Sequence, residues 1–386
     1  MHRESATPRE TTKTTSNHTV RTTHTAARAT ATRALLATAI AGSLALGLAA
    51  CTSTDTNGAN NAASGTSTSA DDSNAAFPVT IKHAFGETTI NQAPQRVATV
   101  GWANHEVPLA LGVVPVGMSK ATFGDDNDNG ILPWVEDKLK ELGADSGEKK
   151  PAIFDETDGI PFEQVAETKP DVILASYSGI TQEDYDTLSK IAPVVAYPST
   201  AWGTSLKDMI TMNSKALGKD SEGEKLVADL DNKTADALDA HPELKGKKVL
   251  FTAFGGSTDP SKLGFYSTKD PRMGFLVDHG LAAPELVARE SERSDQFWIE
   301  ASTEKPEQFA DVDVLLAYSS GKPDDDKKKL ADMQADPLLK KVPAIAKGKV
   351  VFLENGPLGA AANPSPLGIT WGIDRYFGEI AKALKS

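Results

Sequence analysis

Cysteine is almost missing from this chain: Cys51 is the only one among 386 residues, so no intramolecular disulfide can form and stability must come from packing. Basic residues are in deficit, 40 Lys and Arg against 53 Asp and Glu, a formal charge of −13, which argues against nucleic acid as a partner. Arginine is scarcer still. After Cys51 there are only Arg96, Arg272, Arg289, Arg293 and Arg375. The histidines in that region, His83, His105, His241 and His279, are never paired at metal-ligand spacing. Neither G-x-S-x-G nor a G-x-x-x-x-G-K-[ST] loop occurs in the body of the chain, so a nucleophile elbow and a P-loop are both missing. Two S-x-x-K tetrads, Ser146 to Lys149 and Ser302 to Lys305, stand without the companion motifs of a serine acyl-enzyme.

The one long apolar stretch, residues 34–50, is Ala- and Gly-rich, follows the basic residues Arg28 and Arg33, and ends at Leu48-Ala-Ala-Cys51. It is too short for a stable membrane span and reads as a cleaved signal peptide, with Cys51 as the lipidated first residue of the mature protein. Removing six basic and two acidic residues with that leader takes the formal charge to −17. The Thr-rich stretch before the apolar run is long for a signal peptide, and a translation start at Val20 is the expectation that would shorten it. Residues 52–76 are Ser, Thr, Asn, Asp, Ala and Gly with almost nothing to bury, the composition of a disordered tether.

Beyond the tether, Val79 to Ile90 alternates as a hairpin around Gly86-Glu87. Continuous apolar runs then mark strands at Val97–Val100, Val113–Gly117, Val172–Ala175, Val194–Tyr197, Val249–Ala253, Val314–Ala317 and Val350–Leu353. Helical patterns lie between them, at Glu106–Leu111, Trp134–Leu142, Pro161–Thr168, Gln182–Ala192 and Pro366–Leu384. Strands buried on both faces and separated by helices imply an α/β architecture with parallel sheets. One longer helix, Asp220 to Ala240, carries Leu226, Leu230, Thr234 and Leu238 on one stripe and stops at His241-Pro242. It would join two α/β halves stiffly. The expected organisation is signal peptide 1–50, tether 51–76, N-terminal lobe 77–203, linking helical segment 204–242 and C-terminal lobe 243–386.

Ligands of open α/β sheets bind beyond the carboxyl ends of the strands. Aromatic residues recur there: Trp102, Tyr177, Trp202, Phe254 and Tyr318 each follow a strand, and Tyr266 precedes Arg272. Arg272 is the favoured anion receptor, its planar fork suiting carboxylate or catecholate oxygen. Arg289 and Arg293 sit in mixed charge, as on a solvated face. Asp125, Asn127 and Asn129, with Gly130 and then Glu136, satisfy D-x-[DN]-x-[DN]-G-x5-E, the pattern of a calcium loop. The entering helix of such a loop is missing, and Pro133 falls at its ninth position.

Five phrases in order, Asn91-Gln-Ala-Pro-Gln-Arg-Val97, Leu109-Ala-Leu-Gly-Val-Val-Pro-Val-Gly117, Asp158-Gly-Ile-Pro-Phe-Glu163, Lys169-Pro-Asp-Val-Ile-Leu-Ala175 and the run from Gly179 to Pro193, resemble the iron-siderophore and vitamin B12 binding family. The resemblance covers nearly all of residues 77–386. It implies the class III periplasmic binding protein fold, two parallel-sheet lobes bridged by one long helix, and a lipid-anchored, extracytoplasmic, monomeric receptor of an ABC importer that catalyses nothing. The ligand so implied is a ferric siderophore, held without any resident cofactor or protein ligand to iron, with haem or cobalamin as alternatives; His105 or Tyr266 would be the axial candidates for haem. Permease docking through an outer glutamate on each lobe falls on Glu163 and Glu304. Pro161 and Ser302 mark helix starts there, where an acid is favoured by the dipole alone. An exported α/β hydrolase is the reading from a different class, and a structural or adhesive surface lipoprotein is a third.

Overall fold

A computed structural model describes residues 77–253 and 261–385. The signal peptide, the tether, Cys51 and Phe254 lie outside the described residues.

The chain enters through a hairpin of β1 (Val79–His83) and β2 (Gly86–Ile90), in register from Val79 opposite Ile90 to His83 opposite Gly86. Its turn is Ala84-Phe85 rather than Gly86-Glu87, because His83 shapes it. The ring accepts from the Phe85 N–H at 3.2 Å through Nδ1 and lies 2.9 Å from the Thr88 hydroxyl through Nε2. Gly86, at φ +119°, opens the second strand.

The N-terminal lobe is a parallel sheet of β3 (Val97–Thr99), β4 (Gly117–Ser119), β5 (Ala152–Phe154), β6 (Val172–Ala175) and β7 (Val194–Ala196), in the order β5-β4-β3-β6-β7. The Val97, Val172 and Val194 runs form strands as their unbroken apolar character requires, since helices cover both faces. The expected strand at Val113–Gly117 begins only at Gly117. Pro115 has no N–H for a ladder, and the Val113 N–H donates back to the Pro108 carbonyl at 2.8 Å, so this segment is the connection after the Glu106–Ala110 helix. The short edge strand β5 left no readable pattern.

The C-terminal lobe holds a three-stranded parallel sheet of β8 (Val249–Thr252), β11 (Val314–Tyr318) and β12 (Val350–Leu353), in the order β12-β11-β8. An antiparallel pair, β9 (Lys262–Tyr266) with β10 (Trp298–Ser302), stands beside it. Between the lobes runs the helix Asp220–Asp239, 20 residues and about 30 Å long, which buries Leu230, Thr234, Ala237 and Leu238 along one stripe. The linking segment is more than this helix. A second one, Leu206–Ala216, capped by Ser205, contributes Met212 and Ala216 to the core under β1, β3, β6 and β7, and Met209 and Ile210 to the core that holds Leu230 and Leu238 of the bridging helix, so it too serves both lobes. The final helix, Pro366–Lys385, packs on β11 and β12 and also reaches the first lobe. Among the described residues no helix is long and apolar enough to cross a membrane.

Candidate functional site

All five strands of the N-terminal sheet end at one cleft of about 540 Å³. Gly101, Trp102 and Ala103 follow β3; Ser119 ends β4 and Lys120 to Thr122 follow it; Glu156 and Thr157 follow β5; Tyr177 follows β6; Trp202 follows β7. The far wall brings Arg272 and Asn363 from the second lobe. This is the carboxyl-end crevice that parallel topology dictates. A larger groove of about 870 Å³ lies between the bridging helix and the Pro271–Asp278 helix, away from these strand ends, and its rim mixes Lys207, Asp208, Asp231, Lys269 and Asp278.

The first wall is held by Asn104, fully buried. Its amide nitrogen donates to the carbonyls of Val100 (2.7 Å) and Tyr177 (2.9 Å), while its oxygen accepts from Ser176 Oγ (2.9 Å), the Tyr177 N–H (3.1 Å) and Asn213 Nδ2 (3.2 Å). One side chain thus ties the ends of β3 and β6 and orients Tyr177. Trp202 is in the left-handed region at φ +61°, as is Ala103 at +56°, conformations that persist in non-glycine residues only where the surroundings over-determine them. The Trp202 indole lies against the backbone of Gly179, where a Cβ would occupy the space of its Nε1. Its ring meets Tyr177 edge-on at 5.7 Å.

Arg272 is placed by a compact cluster in the second lobe. Asp270, fully buried, caps the Pro271–Asp278 helix by accepting from the Arg272 N–H at 2.9 Å, and takes both Nε (2.8 Å) and Nη2 (2.9 Å) of the same side chain. The guanidinium lies 4.0 Å above the Tyr266 ring. Burial would weaken its charge, but Tyr318 and Asp270 hold its pKa well above the ordinary arginine range. Burial pushes the Tyr266 hydroxyl up to about 12, and raises Tyr177 and Tyr318 as well. Arg272 therefore reaches the cleft as a neutralised pair with donors remaining, not as the open cation its sequence context suggested.

The lobes are joined behind the cleft. Glu106, 0% exposed, reaches from the first lobe to the start of the C-terminal helix, accepting from the N–H groups of Leu367 (2.9 Å) and Gly368 (3.3 Å), from Trp134 Nε1 (2.7 Å) and from the Ser365 hydroxyl. Burial raises its pKa against these four bonds. Tyr177 Oη and the Asn363 amide lie 3.1 to 3.2 Å apart across the same boundary. His105 lines the cleft at 7% exposure with Nδ1 buried and unpartnered, and burial lowers its pKa to about 4, so the ring is neutral.

Of the residues expected at the site, Trp102, Tyr177, Trp202 and Arg272 converge. Tyr266 and Tyr318 do not line the cleft: they lie behind Arg272, Tyr318 packing on Phe123 at 5.4 Å and Phe251 at 5.5 Å. Glu163 and Glu304 are both exposed. Glu163 stands in the first turn of the Phe162–Glu167 helix, but Ser302 ends β10 instead of starting a helix, and Glu304 occupies the turn before the Pro306–Phe309 helix. The acidic loop is closed by its own side chains. Asp125 accepts from the N–H groups of Asn127 (3.1 Å) and Gly130 (2.6 Å), and the amides of Asn127 and Asn129 both donate to Glu136. Among the described residues no group of three or more His, Cys, Asp or Glu could hold a metal. Sequence reading missed Glu156, Ser119, Lys120 and Asn363; the first follows a strand too short to announce itself, and the last is brought in by tertiary packing alone.

A family model described as periplasmic binding protein matches residues 97–356. The chain is 28% identical over 297 residues to a probable siderophore-binding lipoprotein of Bacillus subtilis, YfiY, covering 73% of this chain and 84% of that one. It is 27% identical over 290 residues to the ferric-anguibactin-binding protein FatB of Vibrio anguillarum, covering 72% and 80%. Among solved structures, Streptococcus pneumoniae PiaA in complex with ferrichrome is similar at a TM-score of 0.73 and 46% identity, covering 79% of this chain and 98% of that one. Staphylococcus aureus SirA complexed with staphyloferrin B, at 23% identity and a TM-score of 0.59 over 78% and 98% of the two chains, shares the fold.

Proposed function

Because this chain belongs to the periplasmic binding protein family, we propose that it is the substrate-binding lipoprotein of an ABC importer, taking a ferric siderophore into the cleft between its lobes. It is a binding protein and not a catalyst. The observation that carries this reading is the convergence of all five N-terminal strand ends, with Trp102, Tyr177 and Trp202, on one cleft faced by Arg272. The siderophore-binding relative and the ferrichrome complex of PiaA support the ligand class. Rings present faces to the organic shell of a chelate, and the polar groups between them supply hydrogen bonds that orient it. The joint built on Glu106, Trp134 and the C-terminal helix suits a receptor whose lobes move little on loading.

Anchoring to the outer face of the cytoplasmic membrane follows in this reading from lipid on Cys51, which supplies one of the attachments that peripheral proteins need. Glu163 and Glu304 are the surface charges proposed to dock on the permease, since exposed rim charges set register and association rate. Tryptophan fluorescence tests the ligand: a ferric siderophore should quench Trp102 and Trp202 at submicromolar concentration, and a panel of ferric hydroxamates, ferric catecholates, haem and cobalamin that leaves emission unchanged would refute the assignment. Reversing both Glu163 and Glu304 to Arg should abolish uptake with soluble affinity intact; normal uptake would remove the docking role.

A further inference from the structure

The charges on the cleft walls can be placed one by one among the described residues. Lys120 pairs with Asp155 at 2.8 Å, and Arg272 with Asp270 at 2.8 Å. Glu156, which follows β5, has no ion-pair partner. Its carboxylate accepts from Ser119 Oγ at 2.6 Å and from the Gly101 N–H at 3.0 Å, two groups of the same wall. These bonds oppose the burial that raises its pKa. His105 adds no cation, being neutral, and the exposed faces of Trp102 and Trp202 carry the negative side of the ring quadrupole. Two cations against three carboxylates leave the walls with a formal charge of −1, on a chain whose formal charge is already −13.

Resting on the siderophore reading above, we propose that Glu156 acts as an anion filter, making the cleft select ferric chelates of no net negative charge, the tris-hydroxamate class, over tris-catecholates and carboxylate-rich chelates. Three hydroxamate monoanions cancel the charge of ferric iron, whereas three catecholate dianions leave a trianion. A trianion entering this cleft meets a half-buried carboxylate and two cations that already have partners, and desolvation strengthens the repulsion. A neutral chelate meets no such penalty. The amide N–H groups that hydroxamate backbones carry give Glu156 donors to accept from, so the same group that rejects one class holds the other.

The test is equilibrium tryptophan-fluorescence titration of the full-length protein in detergent with ferrichrome, ferrioxamine B and the ferric enterobactin tris-catecholate. Wild-type protein should bind the two hydroxamates at least about tenfold more tightly than the catecholate. Glu156→Gln should narrow that ratio about tenfold, and Glu156→Asp, which keeps the charge, should preserve most of it. Equal or tighter catecholate binding by the wild type overturns the proposal whatever the variants do, and an unchanged ratio in a folded Glu156→Gln overturns the role of this residue. In either case chelate binding itself would leave the siderophore reading standing. Binding of neither class sinks both.

Discussion

Replacing Glu106 should loosen the junction of the two lobes, and the size of the effect can be worked from its partners. The carboxylate is fully buried and is the acceptor for the Trp134 indole, the Ser365 hydroxyl and two N–H groups at the start of a 20-residue helix. Glu106→Ala leaves these donors in a site sealed from solvent, at about 1 to 3 kcal/mol for each that finds no substitute, and removes an anion from a helix N-terminus, about 1 kcal/mol more. Relief of the buried charge and entry of water offset part of this. The expected net loss is about 3 to 5 kcal/mol, the size of two or three neutral donors left unpaired in a buried site. Glu106→Gln keeps one acceptor but turns an NH2 toward backbone donors, so it should cost about 2 kcal/mol or more. Urea unfolding at neutral pH measures both variants. At roughly 2 °C per kcal/mol for a body of this size, the melting temperature of Glu106→Ala should fall by about 5 to 10 °C. A change under about 1 kcal/mol in Glu106→Ala would refute the reasoning, as would a Gln variant less stable than the Ala one.

His105 makes stability pH-dependent with a definite sign. Its pKa is depressed from 6.5 to about 4, so its contribution is complete above 6.5 and drains as pH falls toward 4, by about 1.4 kcal/mol per pH unit and about 3 kcal/mol in all. Glu106 runs the other way, its raised pKa favouring the folded state at lower pH. Unfolding free energies from pH 7 to 4 should therefore be flatter in His105→Gln than in the wild type, and identical slopes would count against it. Gly179→Ala should displace the Trp202 indole, because the new Cβ takes the place of its Nε1. Siderophore affinity read by fluorescence should drop about tenfold with little loss of stability, about 1 kcal/mol, and unchanged affinity would show that Trp202 does not need its seat.

The fold was legible where the pattern is strong and local. Val172-Ile-Leu-Ala175 and Val314-Leu-Leu-Ala317 are strands because continuous apolar runs bounded by polar residues have one stable home, a sheet covered on both faces. The bridging helix is legible from Leu230, Thr234 and Leu238 at helical spacing. Legibility failed where one residue changes the hydrogen-bond pattern. Pro115 postponed β4, His83 moved the hairpin turn, and the side chain of Ser302 accepts from the Glu304 N–H at 3.3 Å in a turn, not at a helix start.

The sequence by itself determined the α/β class, the two-lobed plan and the aromatic character of the strand ends, since each depends on the order of residues along a local element. Only tertiary structure decided which of those aromatics face the cleft and which support Arg272 from behind. It also decided that Asp270 offsets that arginine, and that Glu156 enters the binding wall without a counter-charge. Charge at a site is a sum over neighbours brought together from distant parts of the chain, and no local pattern carries that sum.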